Sequence, residues 1–166
     1  MHRPWIKRLI YAFAGAATVA MVSSVGYAQR SGPFANLSGN WSGSGTISLN
    51  NGSKERIRCR AHYRVADAGS DLQLELRCAS DSYKFELQSN ISHNGNAITG
   101  TWSEATRGAI GTISGTSSGN QINLRANSAV FSALLAVSTR SNNQSISIQS
   151  PGSEISAVAI NLNRSR

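Results

Sequence analysis

An all-β chain, folded as one antiparallel up-and-down barrel of eight to ten strands, is what this 166-residue sequence predicts. Three observations lead there. From Leu37 to about Arg164, apolar and polar residues alternate with period two rather than 3.6. Clusters of Gly, Asn, Ser, Asp and Pro break that alternation every 8–12 residues or so, the spacing of short strands joined by tight turns. Charged residues are only 14% of the chain, which leaves little with which to build amphipathic long helices or coiled coils. Short sequential connections favour a meander, and closing it removes the exposed edges of a flat sheet. A β-sandwich is the other architecture with this rhythm.

The first element is not part of the barrel. Arg3, Lys7 and Arg8 precede an apolar run from Leu9 to about Val25, which ends in Gly26-Tyr27-Ala28. A basic start, an apolar middle and small residues at −3 and −1 are the pattern of a secretory signal, so residues 1–28 are expected to be removed after Ala28. The net charge of +8 stays positive once those three cations are gone. Residues 29–36 read as a flexible leader, and residues 37–164 as the single domain. The expected location is periplasmic or secreted, with membrane contact only through the signal before cleavage.

The strands follow in order. Leu37, Gly39, Trp41, Gly43, Gly45, Ile47 and Leu49 share one face until Asn50-Asn51-Gly52-Ser53 turns the chain. Ile57, Cys59, Ala61, Tyr63 and Val65 then alternate with Arg56, Arg58, Arg60, His62 and Arg64. Past Asp67-Ala68-Gly69-Ser70 come Leu72, Leu74, Leu76 and Cys78, and past Ser80-Asp81-Ser82 come Tyr83, Phe85, Leu87 and Ile91. Asn94-Gly95 is the strongest hairpin signal, and it leads into Ile98, Gly100 and Trp102. A Gly/Thr/Ser strand around Ile110 to Thr116 follows, then strands carrying Ile122 to Ala126, Phe131 to Val137, Ile146 to Ile148, and Val158 to Leu162.

Folding the chain at 67–70 sets Val65 against Leu72, Tyr63 against Leu74, Ala61 against Leu76 and Cys59 against Cys78. In an exported chain that pairing makes a Cys59–Cys78 disulfide the expectation. A loop of that size stabilises by around 3 kcal/mol in the chain-entropy model. The same register puts Arg60 opposite Arg77 and His62 opposite Glu75. The face carrying Arg56, Arg58, Arg60, His62, Arg64 and Arg77 therefore stays positive, suited to phosphate or carboxylate groups of the envelope. A solvated strand face is the plainer reading of the same residues.

Gly39-Asn40-Trp41 resembles the Gly-x-Trp opening strand of calycin barrels, the lipocalin and avidin-like families, where it plugs one end. Gly100-Thr101-Trp102 is similar to the second Gly-Thr-aromatic strand of avidin-like chains, so both tryptophans are placed at the closed end. Beyond these motifs the chain looks like small exported proteins of Gram-negative bacteria with no assigned activity.

The apolar face gathers Trp41, Tyr63, Tyr83, Phe85, Trp102 and Phe131, which would point into the barrel. Glycine and alanine on that face either leave volume for a small apolar or amphipathic ligand or simply pack into the core. Glu104 and Arg107 then serve as a polar anchor at the mouth or, as is commoner for such a pair, as strand-end residues reaching solvent. No ordered catalytic motif, phosphate-cradling loop or metal-ligand spacing is present. The sequence thus points to a non-enzymatic protein without cofactor, metal or nucleic-acid partner. Two alternatives keep the barrel. One is a structural, interaction or inhibitor module of the bacterial envelope with a filled core. The other is a small outer-membrane barrel with the faces inverted.

Overall fold

The computed structural model describes residues 31–165, and the signal segment lies outside them. Ten strands run in chain order: β1 Gly39–Leu49, β2 Lys54–Ala66, β3 Asp71–Ala79, β4 Lys84–Asn94, β5 Ala97–Glu104, β6 Ala109–Ser118, β7 Gln121–Ser128, β8 Ser132–Arg140, β9 Asn143–Gln149 and β10 Ile155–Arg164. Each pairs antiparallel with its sequence neighbour, and β10 pairs with β1 from Trp41↔Arg164 to Leu49↔Ile155, closing the barrel. This is the up-and-down barrel, not the sandwich. One 3₁₀ turn, Asp67–Gly69, joins β2 to β3.

The β2–β3 register is the one the alternation implied: Val65↔Leu72, Tyr63↔Leu74, Ala61↔Leu76 and Cys59↔Cys78. The two cysteines form a disulfide with Cα atoms 4.1 Å apart. A hairpin can be read this closely because its turn sets which residues face each other, and period two then assigns every side chain to a face.

The inward face carries one continuous apolar cluster that includes Trp41, Ile57, Cys59, Ile98, Trp102, Ile146 and Leu162. The outward rows are polar: Ser42, Ser44 and Thr46 on β1, the arginines on β2, and Asn123 and Arg125 on β7. A membrane-spanning barrel needs an apolar band outside, so the inverted outer-membrane arrangement is excluded for this wall.

Two expectations are corrected. The described part of the leader, residues 31–36, is docked rather than loose. Gly32 and Phe34 donate backbone hydrogen bonds to Ala68 and Gly69, and Phe34 is buried against the barrel end. The glycines on the inward face are also not simply spare volume. A Cβ at Gly43 would lie 1.9 Å from the Asn161 carbonyl oxygen, and one at Gly111 would lie 2.0 Å from that of Asn127. These glycines let adjacent backbones approach where the strands coil tightly.

Candidate functional site

The two ends of the barrel differ. At the end where β1 begins, Phe34 and Leu37 fold over the opening. Beneath them, Trp41 Nε1 donates to the Leu37 carbonyl, and the Trp41 ring meets Tyr63 edge-on at 6.2 Å. The Tyr63 hydroxyl reaches across the floor from β2 to β9 and donates to Gln144 at 2.7 Å. Burial pushes the Tyr63 phenol well above its ordinary range, outweighing the Gln144 contact. The Arg164 guanidinium lies 4.6 Å from the Trp41 ring and bonds the carbonyls of Ser38 and Asn36. This floor is closed, as the resemblance at Gly39-x-Trp41 implied.

Above the floor, burial of the inward side chains is incomplete. Leu74, Leu76 and Leu87 on β3–β4 point inward, as do Leu124, Leu135 and Ile148 on β7–β9, yet all six are only half-buried. In a closed barrel the wall shields inward side chains from outside, so their remaining exposed surface faces the interior. A ten-stranded barrel is wider than the eight-stranded ones whose interiors just hold one small ligand. Five of the six, Leu74, Leu76, Leu87, Leu124 and Ile148, pack against the core cluster without being fully covered by it.

Around the other end, Tyr83 and Phe85 lie parallel at 6.4 Å, and the Arg107 guanidinium sits 4.7 Å over the Phe85 ring. Tyr83 donates its hydroxyl to Glu154 at 2.7 Å, spanning part of that end. Glu154 and a little burial raise the Tyr83 phenol. Trp102 departs from the expectation that it shares Trp41's place. It sits higher in the barrel, tilted against Phe131 at 5.4 Å, with its indole nitrogen edge over the inward side of Gly111. A similar motif does not give a similar place, because the strand tilt of a barrel lifts β5 relative to β1. Trp102 Nε1 is buried and faces no acceptor, the one such side-chain atom among the described residues.

Glu104, read from the sequence as a ligand anchor or a strand-end residue reaching solvent, is instead buried and hydrogen-bonded within the wall. Its carboxylate is buried and accepts hydrogen bonds from the Thr106 hydroxyl and from the backbone N–H groups of Glu86, Thr106 and Arg107. Burial alone would raise its carboxyl; these donors outweigh burial and hold it below the ordinary glutamate range. It ties down the β5–β6 turn and the neighbouring β4, with Arg107 3.5 Å away.

The basic residues lie on the outer wall. Arg60 faces Arg77 and His62 faces Glu75, as the register required. Only Arg64 of this group forms an ion pair, with Glu75 at 2.9 Å; among the described residues Arg56, Arg58, Arg60 and Arg77 form none. His62 shares a hydrogen bond with Asn40 at 2.7 Å. A shallow depression of about 390 Å³ runs over this wall, lined by Asn40, Ser42, Arg60, His62, Glu75 and Arg77.

The fold defines the class: a closed, ten-stranded, antiparallel up-and-down β-barrel. Two solved structures share the architecture. Rv2717c from M. tuberculosis superposes with a TM-score of 0.63 at 13% identity, over 81% of this chain and 94% of that one. The S-type phycobiliprotein lyase CPES from Guillardia theta superposes with a TM-score of 0.57 at 8% identity, over 80% and 90%. At such identities the likeness is one of fold. No family model and no curated protein sequence matches the chain. The disulfide is in keeping with an oxidising, exported compartment, and no helix among the described residues is long and apolar enough to cross a membrane.

Proposed function

We propose that this protein is an exported, non-enzymatic carrier that holds one small apolar or amphipathic molecule in the barrel lumen. The observation that supports this best is the incomplete burial of Leu74, Leu76, Leu87, Leu124, Leu135 and Ile148 above a closed floor. Apolar side chains left partly exposed gain about 25 cal/mol for each Å² that a ligand covers. The unpartnered Trp102 N–H adds a chemical preference: a ligand with an acceptor group would satisfy a buried donor that now has none. The outer arginine wall gives the carrier a face for anionic envelope groups. Arg60 directly opposite Arg77 is an unfavourable like-charge pair that a bound anion would relieve.

Two fluorescent probes test the lumen. N-phenyl-1-naphthylamine and the carboxylate cis-parinaric acid should both brighten on binding. Trp102→Phe keeps a ring and removes the donor; it should weaken the carboxylate about fivefold, the worth of one hydrogen bond, and spare the amine. Failure of both probes to bind, together with a ligand-free mass for protein taken from its own host, would refute the carrier reading. The wall is tested separately. Retention on an anionic matrix should fall when Arg56, Arg58 and Arg60 become Ser, and unchanged retention would remove the wall from the function.

A further inference from the structure

The large apolar side chains exposed among the described residues are three: Ile110 at 73%, Val130 at 84% and Leu134 at 45%. They do not scatter. Ile110 is the second residue of β6, Val130 lies in the β7–β8 turn, and Leu134 points outward from β8. Ser128, at the end of β7, pairs with Gly111, so the β7–β8 turn emerges beside Ile110. Leu134 pairs with Arg125 of β7 and begins four residues past the turn. The three therefore lie on adjoining elements toward the end opposite the Phe34 floor, with Arg125 between Ile110 and Leu134. Phe131, between two of them in sequence, turns inward onto Trp102. The patch and the lumen thus share a lip.

The charge around the patch has one sign. From Ala105 to Ser153 the chain has no Asp or Glu, while Arg107, Arg125 and Arg140 lie within it. Arg107, packed over Phe85 and 3.5 Å from Glu104, stands beside Ile110 in the β5–β6 turn, and Arg125, which forms no ion pair among the described residues, lies between β6 and Leu134. The nearest carboxylate on this side, Glu104, is buried and already holds four donors. Farther round the same end, Glu86 is ion-paired with Lys84 and Glu154 is hydrogen-bonded to Tyr83. Exposed apolar side chains with arginines beside them are complementary to one kind of surface: the apolar side chains enter the acyl boundary while arginines meet anionic headgroups. A protein partner would more usually meet a flatter, aromatic-rich patch with charges of both signs.

We infer that the rim formed by Ile110, Val130 and Leu134, with Arg107 and Arg125, docks on an anionic phospholipid surface and holds the barrel mouth against it. The docking rests on outward residues alone. Passage of a ligand between bilayer and lumen through that mouth rests in addition on the carrier reading above.

The test uses the whole protein with an environment-sensitive NBD label on Val130→Cys, and in a second sample on Gly95→Cys, at the floor end. Vesicles of phosphatidylcholine alone are compared with vesicles containing 30% phosphatidylglycerol. On the anionic vesicles the label at 130 should brighten severalfold and be quenched by lipid-borne nitroxide, while the label at 95 stays dark. An Ile110→Asp/Leu134→Asp variant should need roughly tenfold more lipid, the loss of about one buried aliphatic side chain. Equal responses at 130 and 95, a silent label at 130, or an unchanged lipid requirement in that variant would overturn the docking. N-phenyl-1-naphthylamine binding to the same variant in vesicle-free solution separates the two readings. Retained probe binding with lost docking is the expected result. Docking without probe binding would leave the docking standing and remove the carrier.

Discussion

Leu135→Trp distinguishes an open lumen from a filled core, because the two make opposite predictions for the same side chain. Leu135 points inward from β8 between Leu124 and Ile148, and all three are half-buried. If the interior were packed to ordinary density, the added indole atoms would force neighbours off their rotamers at a cost of about 1–3 kcal/mol. For a domain of this size that lowers Tm by roughly 3–10 °C. In the proposed lumen the ring instead covers apolar surface that is only partly buried. Covering some 40 Å² contributes about 1 kcal/mol at 25 cal/mol per Å². Thermal unfolding followed by circular dichroism should therefore show an unchanged or higher Tm, while N-phenyl-1-naphthylamine affinity falls at least about tenfold as the ring takes the probe's place. A Tm lowered by several degrees with probe binding intact would refute the lumen and the reasoning behind it.

Three further outcomes follow from the geometry. Replacing Cys59 and Cys78 together by Ser should destabilise by about 3 kcal/mol in urea unfolding, and reductant should do nothing further to that variant; a loss below ~1 kcal/mol would mean the bridge does not restrain the unfolded chain. Gly43→Ala drives a Cβ into the Asn161 carbonyl and should cost at least about 2 kcal/mol by loosening β1 from β10. Gly95→Ala, at φ 64° in an open turn, should cost only about 1 kcal/mol, and the reverse ranking would contradict the strand-coiling account. Because the folded Glu104 carboxyl is held below its ordinary value, its contribution is present above the ordinary glutamate range and is lost as pH falls through that range and below. Glu104→Gln should therefore be clearly less stable than the parent at pH 7 and approach it below about pH 4, as read by Tm against pH; parallel curves would show that the carboxylate charge plays no part.

How much of the candidate site could be read from residues alone varied with distance along the chain. The inward direction of Tyr63, Phe85, Trp102 and Phe131 followed from alternation, and so did the outward arginines, because both depend only on period two. The heights of Trp41 and Trp102 did not follow. Two identical Gly-x-Trp triplets land at different levels because each strand is shifted along the barrel axis by pairings far away in sequence. The hydrogen bonds of Glu104 were not legible for a related reason: its donors come partly from β4, and no local pattern announces that a carboxylate will be consumed by a neighbouring turn. The Ile110–Val130–Leu134 patch carried no signal at all, since a single isoleucine, valine or leucine in an alternating strand looks the same on either face until its partners are known.

By itself the sequence determined what short loops can determine: the strands, their faces, the β2–β3 register and the cysteine pairing, each set by a turn and a two-residue period acting over some twenty residues. The tertiary structure alone decided that ten strands close with Trp41 beside Arg164, that Phe34 is buried at one end, and that the leucines of β3–β4 and β7–β8 are only partly covered. Those outcomes depend on strand number, tilt and stagger around the whole ring, quantities to which every hairpin contributes and which none encodes.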